Sequence, residues 1–235
     1  MAHLRIAENL LFHIQDLDAA QFAIGSVAPD SGIPDENWEK FNPPPHVTHF
    51  KRSISVHKDI ADLDFYRGYL ADVSSKTQPQ RFSFRLGYFF HLITDNLWTI
   101  AVGKPTEERF SREFAADKNF IWEVKKDWYG LDHIYVRAHP DCLFWRVFLD
   151  AIPDSADLDF LPPQALARQL DFVKAYYQRR DEETDEMCAR PFIYMSASTM
   201  DSFIEDTTAR LRDIYRLLWL DPSALAGLHS ALEMI

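Results

Sequence analysis

Residues 79–98 read PQRFSFRLGYFFHLITDNLW, and this stretch decides the fold. Pro79 suits the first turn of a helix, where its missing N–H costs nothing. Phe82, Leu86, Phe89, Phe90, Ile93 and Leu97 then surround the axis with apolar side chains. A helix that is apolar nearly all round belongs in the middle of a protein. One face departs from that pattern: Ser83, Gly87, His91 and Asp95 follow one another at i, i+4 and stack in a single stripe. A buried carboxylate costs several kcal/mol unless it is paired or bound to a metal. A divalent cation shared by His91 and Asp95 accounts for both residues, and Gly87 one turn earlier leaves room for it. The alternative is a His91–Asp95 hydrogen bond inside an ordinary core.

Outward from this helix the periodicity stays helical. Residues 2–14 place Ile6, Ala7, Leu10, Leu11 and Ile14 on one face. Asp18 is placed to cap a second helix over AAQFAIGSVA, which Pro29 stops. Further helices are expected over 60–73, EERFSREFAA, 120–137, DCLFWRVFLDAI, PPQALARQLDFVKAYYQRR and 200–219, with the run DEETDE (181–186) as a solvated loop or helix end. Strand alternation and hairpin signals are absent. The expectation is one all-α domain over 1–235, with a metal-site core to about residue 150 and a C-terminal helical layer over 151–235.

Composition narrows the function. The chain has 235 residues, enough for a sizeable core, and its 18 Phe and 6 Trp exclude a solvated, disordered chain. A net charge of −11 argues against general nucleic-acid binding, since a polyanion would be repelled. A local cation would still hold a small phosphate ester. Two cysteines make no disulfide framework, no apolar run is long enough for a membrane span, and the N-terminal stretch lacks the pattern of a signal peptide. Cytoplasm is the expected location.

Other ligand types stand at element ends. His3 lies near the inward face of the first helix, where a plain core or terminal histidine is the alternative. Asp30 follows Pro29 and also reads as a turn or cap residue. His49 closes HVTHF, with His46 beside it as a decoy. Together with His91 and Asp95 these make three imidazoles and two carboxylates from four segments, a donor mixture suited to zinc and also to manganese or iron.

The motifs G-S-x-A-P-D (25–30), T-H-F (48–50) and G-Y-x-x-H-x-x-x-D (87–95), following H-x-x-I-A at His3, resemble the zinc-dependent phospholipase C family. Its helical fold also hosts zinc-dependent single-strand nucleases. The likeness covers about residues 2–140. The resemblance implies His3, Asp30, His49 and His91 as metal ligands, and Asp95 as a carboxylate able to bridge two ions. The chain departs from the family where a further histidine and a His-x-x-x-Glu/Asp pair would follow. Glu123 and Asp127 are the nearest i, i+4 pair, with a solvated face as their alternative; Asp132 and His133 are weaker candidates. The family also uses a terminal amine, for which only Met1, or Ala2 after Met removal, is available. One or two ions are therefore expected.

The function implied is a metal-dependent phosphoric ester hydrolase, with Asp30 as general base and Lys51 or Arg52 steadying a phosphoryl oxygen. The loop over 31–47, with Trp38 and Phe41, would line or cover the site. Two rivals stand beside this reading: an HD-like phosphohydrolase, although no suitable His-Asp dipeptide occurs, and a non-catalytic, metal-stabilised helical domain that binds a partner.

Overall fold

The computed structural model describes residues 1–37, 39–52, 59–154, 157–220 and 225–235, and it is all-α. The chain begins with α1 (Ala2–Leu11), which buries Leu4, Ile6, Ala7 and Leu10. α2 (Ala19–Gly25) is capped as expected: the Asp18 carboxylate accepts from the Gln21 N–H at 2.9 Å. It stops earlier than its sequence suggests. Pro29 cannot extend the ladder, and Ala28–Asp30 close instead as a single 3-10 turn.

The segment after Asp30 is not wholly irregular. Ile33–Pro34 (β1) and Phe41–Asn42 (β2) pair antiparallel, an addition that two-residue strands give no periodicity to foretell. Phe41 therefore sits in a ribbon; Trp38, expected near the site, lies outside the described residues. Next come a four-residue helix, α3 (Pro45–Thr48), and α4 (Asp62–Phe65), which runs on into a π turn over Tyr66–Leu70.

The central helix, α5 (Pro79–Trp98), is buried along nearly its whole length. It does not end at Trp98. A π turn over Thr99–Gly103 carries it into α6 (Lys104–Arg109), the wider turn admitting Pro105 at the start of the next helix. α7 (Ser111–Ala116) and α8 (Phe120–Ala138) follow. The stretch 141–152 gives only α9 (Leu143–Arg146) and a 3-10 turn, then α10 covers Pro163–Gln178.

The acidic run 181–186 is a solvated helix end, the second of its two expected readings. It opens α11 (Glu182–Ala189): Asp181 and Thr184 form a reciprocal capping box, and Glu182, Glu183 and Asp185 sit in the first turn, where negative charge complements the helix dipole. The last long helix, α12 (Ala197–Leu220), lies against α1 and α5. Among the described residues no helix is long and apolar enough to cross a membrane.

Asp62 ties the C-terminal tail to this frame. It is fully buried and accepts from Ser230 Oγ at 2.6 Å, the Ala231 N–H at 2.7 Å and Asn96 Nδ2 at 3.1 Å. Burial, only partly offset by these donors, pushes its carboxyl up to about 6. The folded chain then holds this proton more tightly than the unfolded chain. Its contribution to stability is complete below pH ~4 and is lost as pH rises through about 6. Urea unfolding of Asp62→Asn is expected to show a flatter pH dependence than the parent between pH 4 and 7; equal slopes would refute the assignment.

Candidate metal centre

Two helices cross closely enough to set the centre's position. A Cβ on Gly87 would stand 2.3 Å from the Phe22 carbonyl oxygen and 2.9 Å from the Ser26 nitrogen. A Cβ on Gly25 would stand 2.0 Å from the Phe84 carbonyl oxygen. The two glycines thus let the backbones of α2 and α5 touch. This corrects the reading of Gly87 as room for a cation: the space it leaves is filled by α2. Ser83 is also structural, its hydroxyl donating to the Pro79 carbonyl and accepting from the Asp18 N–H.

The helix contact delivers His91 to the end of α2. Nδ1–H of His91 donates to the Ser26 carbonyl at 2.9 Å, which leaves Nε2 as the bare lone pair. That atom is buried and has no hydrogen-bond partner among the described residues. It lies 3.8 Å from Asp30 Oδ1, too far for a hydrogen bond and near enough for a shared ion. The alternative of a His91–Asp95 hydrogen bond does not occur among the described contacts.

His49 is set by the same logic on a different element. The Tyr88 hydroxyl of α5 donates to the Thr48 carbonyl at 2.6 Å and fastens α3 to the core. The His49 Nδ1–H donates to the Pro45 carbonyl at 3.1 Å, so Nε2 faces Asp30 Oδ1 at 3.4 Å and Asp95 Oδ2 at 3.7 Å. The next residue, Phe50, takes a left-handed φ of 51° with its ring edge-on to Phe65 and Phe160. A non-glycine residue pays for that conformation, and it turns the chain sharply just after the ligand.

His3 completes the group from α1. Its ring stacks on His91 with centroids 3.8 Å apart, and Nε2 lies 3.6 Å from Asp95 Oδ1. Asp95 therefore presents one oxygen to His3 and the other to His49. Two sets of ligand atoms fall within coordination reach of one another, Asp30–His49–His91 and His3–His91–Asp95. His91 has one lone pair and serves one ion, so the sets divide across Asp95. Histidines on both sides keep the lone pairs available: burial and the neighbouring His91 push His3 down to about 3, and burial likewise lowers His91. Packing alone would raise Asp30, but His91 and His49 outweigh it and hold the carboxyl well below its ordinary range. The donor set, with its orphaned Nε2, fits a divalent cation.

The remaining candidates lie elsewhere. Glu123 is paired with Lys126 and approaches Arg190, and it does not join the cluster. Asp127 is fully buried, but it accepts from the N–H groups of Tyr194 and Met195 and faces Arg190. The pair is thus a correction: the i, i+4 spacing on α8 serves the chain after α11. Asp127→Ala would orphan two amides, each costing about 1–3 kcal/mol. A lower melting temperature with unchanged metal content is expected; a loss of metal would return Asp127 to the ligands. Arg52 is committed to Asp59 at 3.0 Å, and Lys51 pairs through its backbone with Ile60, so neither is shown at a phosphoryl site. Asp132 accepts from the Met1 amine at 3.1 Å and from the Tyr177 hydroxyl at 2.9 Å, so the amine is engaged by a carboxylate, in the wall of the same cavity that His3 and Asp30 line. His133 is buried against Tyr176 and Tyr177.

One feature escaped the sequence. A cavity of about 490 Å³ reaches the centre at His3 and Asp30 and is walled by Trp122, Tyr129, Phe172 and Tyr176. Its aromatic residues come from α8 and α10, whose helical spacing reads as ordinary core; only the half exposure of Trp122 and Phe172 marks them. Comparison with family models, curated proteins and solved structures finds no match.

Proposed function

We propose that this chain is a metal-dependent hydrolase of small phosphate esters. The observation that carries the reading is the opening of the cavity onto His3 and Asp30 beside the orphaned His91 Nε2. A structural ion is closed off by four protein ligands, whereas a catalytic one keeps a position open. Asp30 is half-exposed, so the ligand set has a solvent-facing side.

His49, His91 and Asp30 would hold one ion, and His3 with Asp95 a second; zinc suits these donors, as do manganese and iron. Bound there, the metal supplies Lewis-acid charge to a phosphoryl oxygen and acidifies water towards neutrality. The chain's own share is orientation. Asp30, half-exposed and an anion at neutral pH on a short 3-10 turn, accepts a hydrogen bond from the attacking water and orients it. Asp95 fixes the separation between the two histidine groups, and the aromatic wall receives the ester's apolar portion.

The test uses bis(4-nitrophenyl) phosphate and 4-nitrophenyl phosphate with the purified chain loaded with zinc or manganese. Release of nitrophenolate that stops on chelation and returns with metal supports the proposal. Full metal occupancy without turnover of either ester would leave the metal-stabilised partner-binding domain as the better reading.

A further inference from the structure

A second cavity, of about 410 Å³, lies where the π turn at the end of α5 meets α7 and α8. Its volume is in the range of small-molecule pockets. Trp98, Trp128 and Phe114 supply an apolar wall, while Lys104, Lys118 and the stem of Lys125 line it beside the single carboxylate of Glu107. In a chain of net charge −11, a hollow lined by three lysines and one carboxylate is a local reversal of sign.

Three further observations point to a ligand. Lys104 and Lys118 make no ion pair with any described residue, although acidic residues outnumber basic ones 36 to 25. The rings of Trp98 and Trp128 stand edge-on to one another with centroids 5.0 Å apart, a paired aromatic wall for a flat apolar body. Finally, the π turn itself contributes Thr99 and Gly103 to the wall, and such turns are frequent at functional sites.

We propose that this cavity is a second small-molecule site, distinct from the metal centre, for an amphiphilic anion with a flat apolar body. The body lies against Trp98 and Trp128, and its sulfonate, carboxylate or phosphate sits among the lysines. The site shares α8 with the cavity at the metal centre: Lys125 Nζ rests 4.5 Å over the ring of Trp122, which walls that other cavity.

The probe is 1-naphthalenesulfonate, titrated into the full chain and followed by tryptophan fluorescence and calorimetry. Saturable binding at one site per chain is expected, equal with and without added divalent ion. The uncharged 1-naphthalenemethanol should bind at least about tenfold more weakly. Lys104→Glu/Lys118→Glu should lose about tenfold or more in affinity, with circular dichroism to establish its fold; Lys104→Gln/Lys118→Gln replaces it if the reversal unfolds the chain. Trp128→Phe, which shrinks the aromatic wall, should weaken binding by a smaller factor. Unchanged affinity in the folded lysine variant, or binding that requires the metal, would overturn the assignment.

Discussion

Replacing His91 by alanine is expected to strip the centre of the ion that His91 would share with Asp30 and His49, and to abolish ester hydrolysis. Its Nε2 is buried and has no other use among the described contacts. Removal of a partner that merely orients a ligand costs about 10–100-fold in metal affinity, and loss of a ligand itself should cost more. The effect extends to stability. An ion present at one hundred times its dissociation constant stabilises the folded chain by about 2.7 kcal/mol. For a chain of this size that corresponds to a melting temperature lower by roughly 5–10 °C. Elemental analysis and thermal unfolding, with and without chelator, check this together. Chelation should lower the parent's melting temperature and leave the variant's unchanged. Metal content equal to the parent's in folded His91→Ala would end the case for this centre. His46→Ala is the control, because His46 lies outside both ligand sets and should retain its metal.

The sequence made this site partly legible because its ligands interrupt strong patterns. His91 and Asp95 stand out on an otherwise apolar helix, Asp30 follows a proline that ends one, and His49 closes a proline-rich segment. What spacing could not show is which hydrogen bond selects the tautomer. The Ser26 carbonyl and the Pro45 carbonyl do that, and backbone acceptors leave no mark in a residue string. The same limit explains the misreading at Asp127. Two carboxylates at i, i+4 on α8 look like a ligand pair, yet one faces solvent and the other caps amides from a segment more than sixty residues away. The acidic run at 181–186 left two readings, a solvated loop or a helix end, and charge density alone does not choose between them; the charges occupy a helix's first turn, where the dipole favours them.

The division between buried and open ligands also fits the fold. His91 is at most 1% exposed and His49 7%, both held by main-chain acceptors, whereas Asp30 is half-exposed on a three-residue turn. On the proposed reading, rigid imidazoles would fix where an ion sits and the less confined carboxylate would orient water, so that preorganisation and reactivity fall to different residues of a centre built from four separate segments.

Gly87→Ala is expected to disturb the fold and the metal site together. The added methyl would meet the Phe22 carbonyl oxygen at 2.3 Å and the Ser26 nitrogen at 2.9 Å, both backbone atoms that no rotamer change can move aside. The helices must separate. Overpacking of this kind costs about 1–3 kcal/mol and occasionally more, which predicts a melting temperature lower by several degrees. The particular consequence is for the metal. Gly87 is one turn before His91, and the displaced residue on α2 is Ser26, whose carbonyl sets the His91 tautomer. Parting α2 from α5 therefore releases Nδ1 as it loosens the core, and metal affinity should fall about 10–100-fold, as for loss of any orienting partner. Alanine at Gly68, where an added Cβ meets nothing within 4 Å, provides the comparison: it should keep the parent's metal affinity. If Gly87→Ala melts lower but binds metal as tightly as the parent, the helix contact supports only the fold, and the link from Gly87 through Ser26 to His91 is wrong.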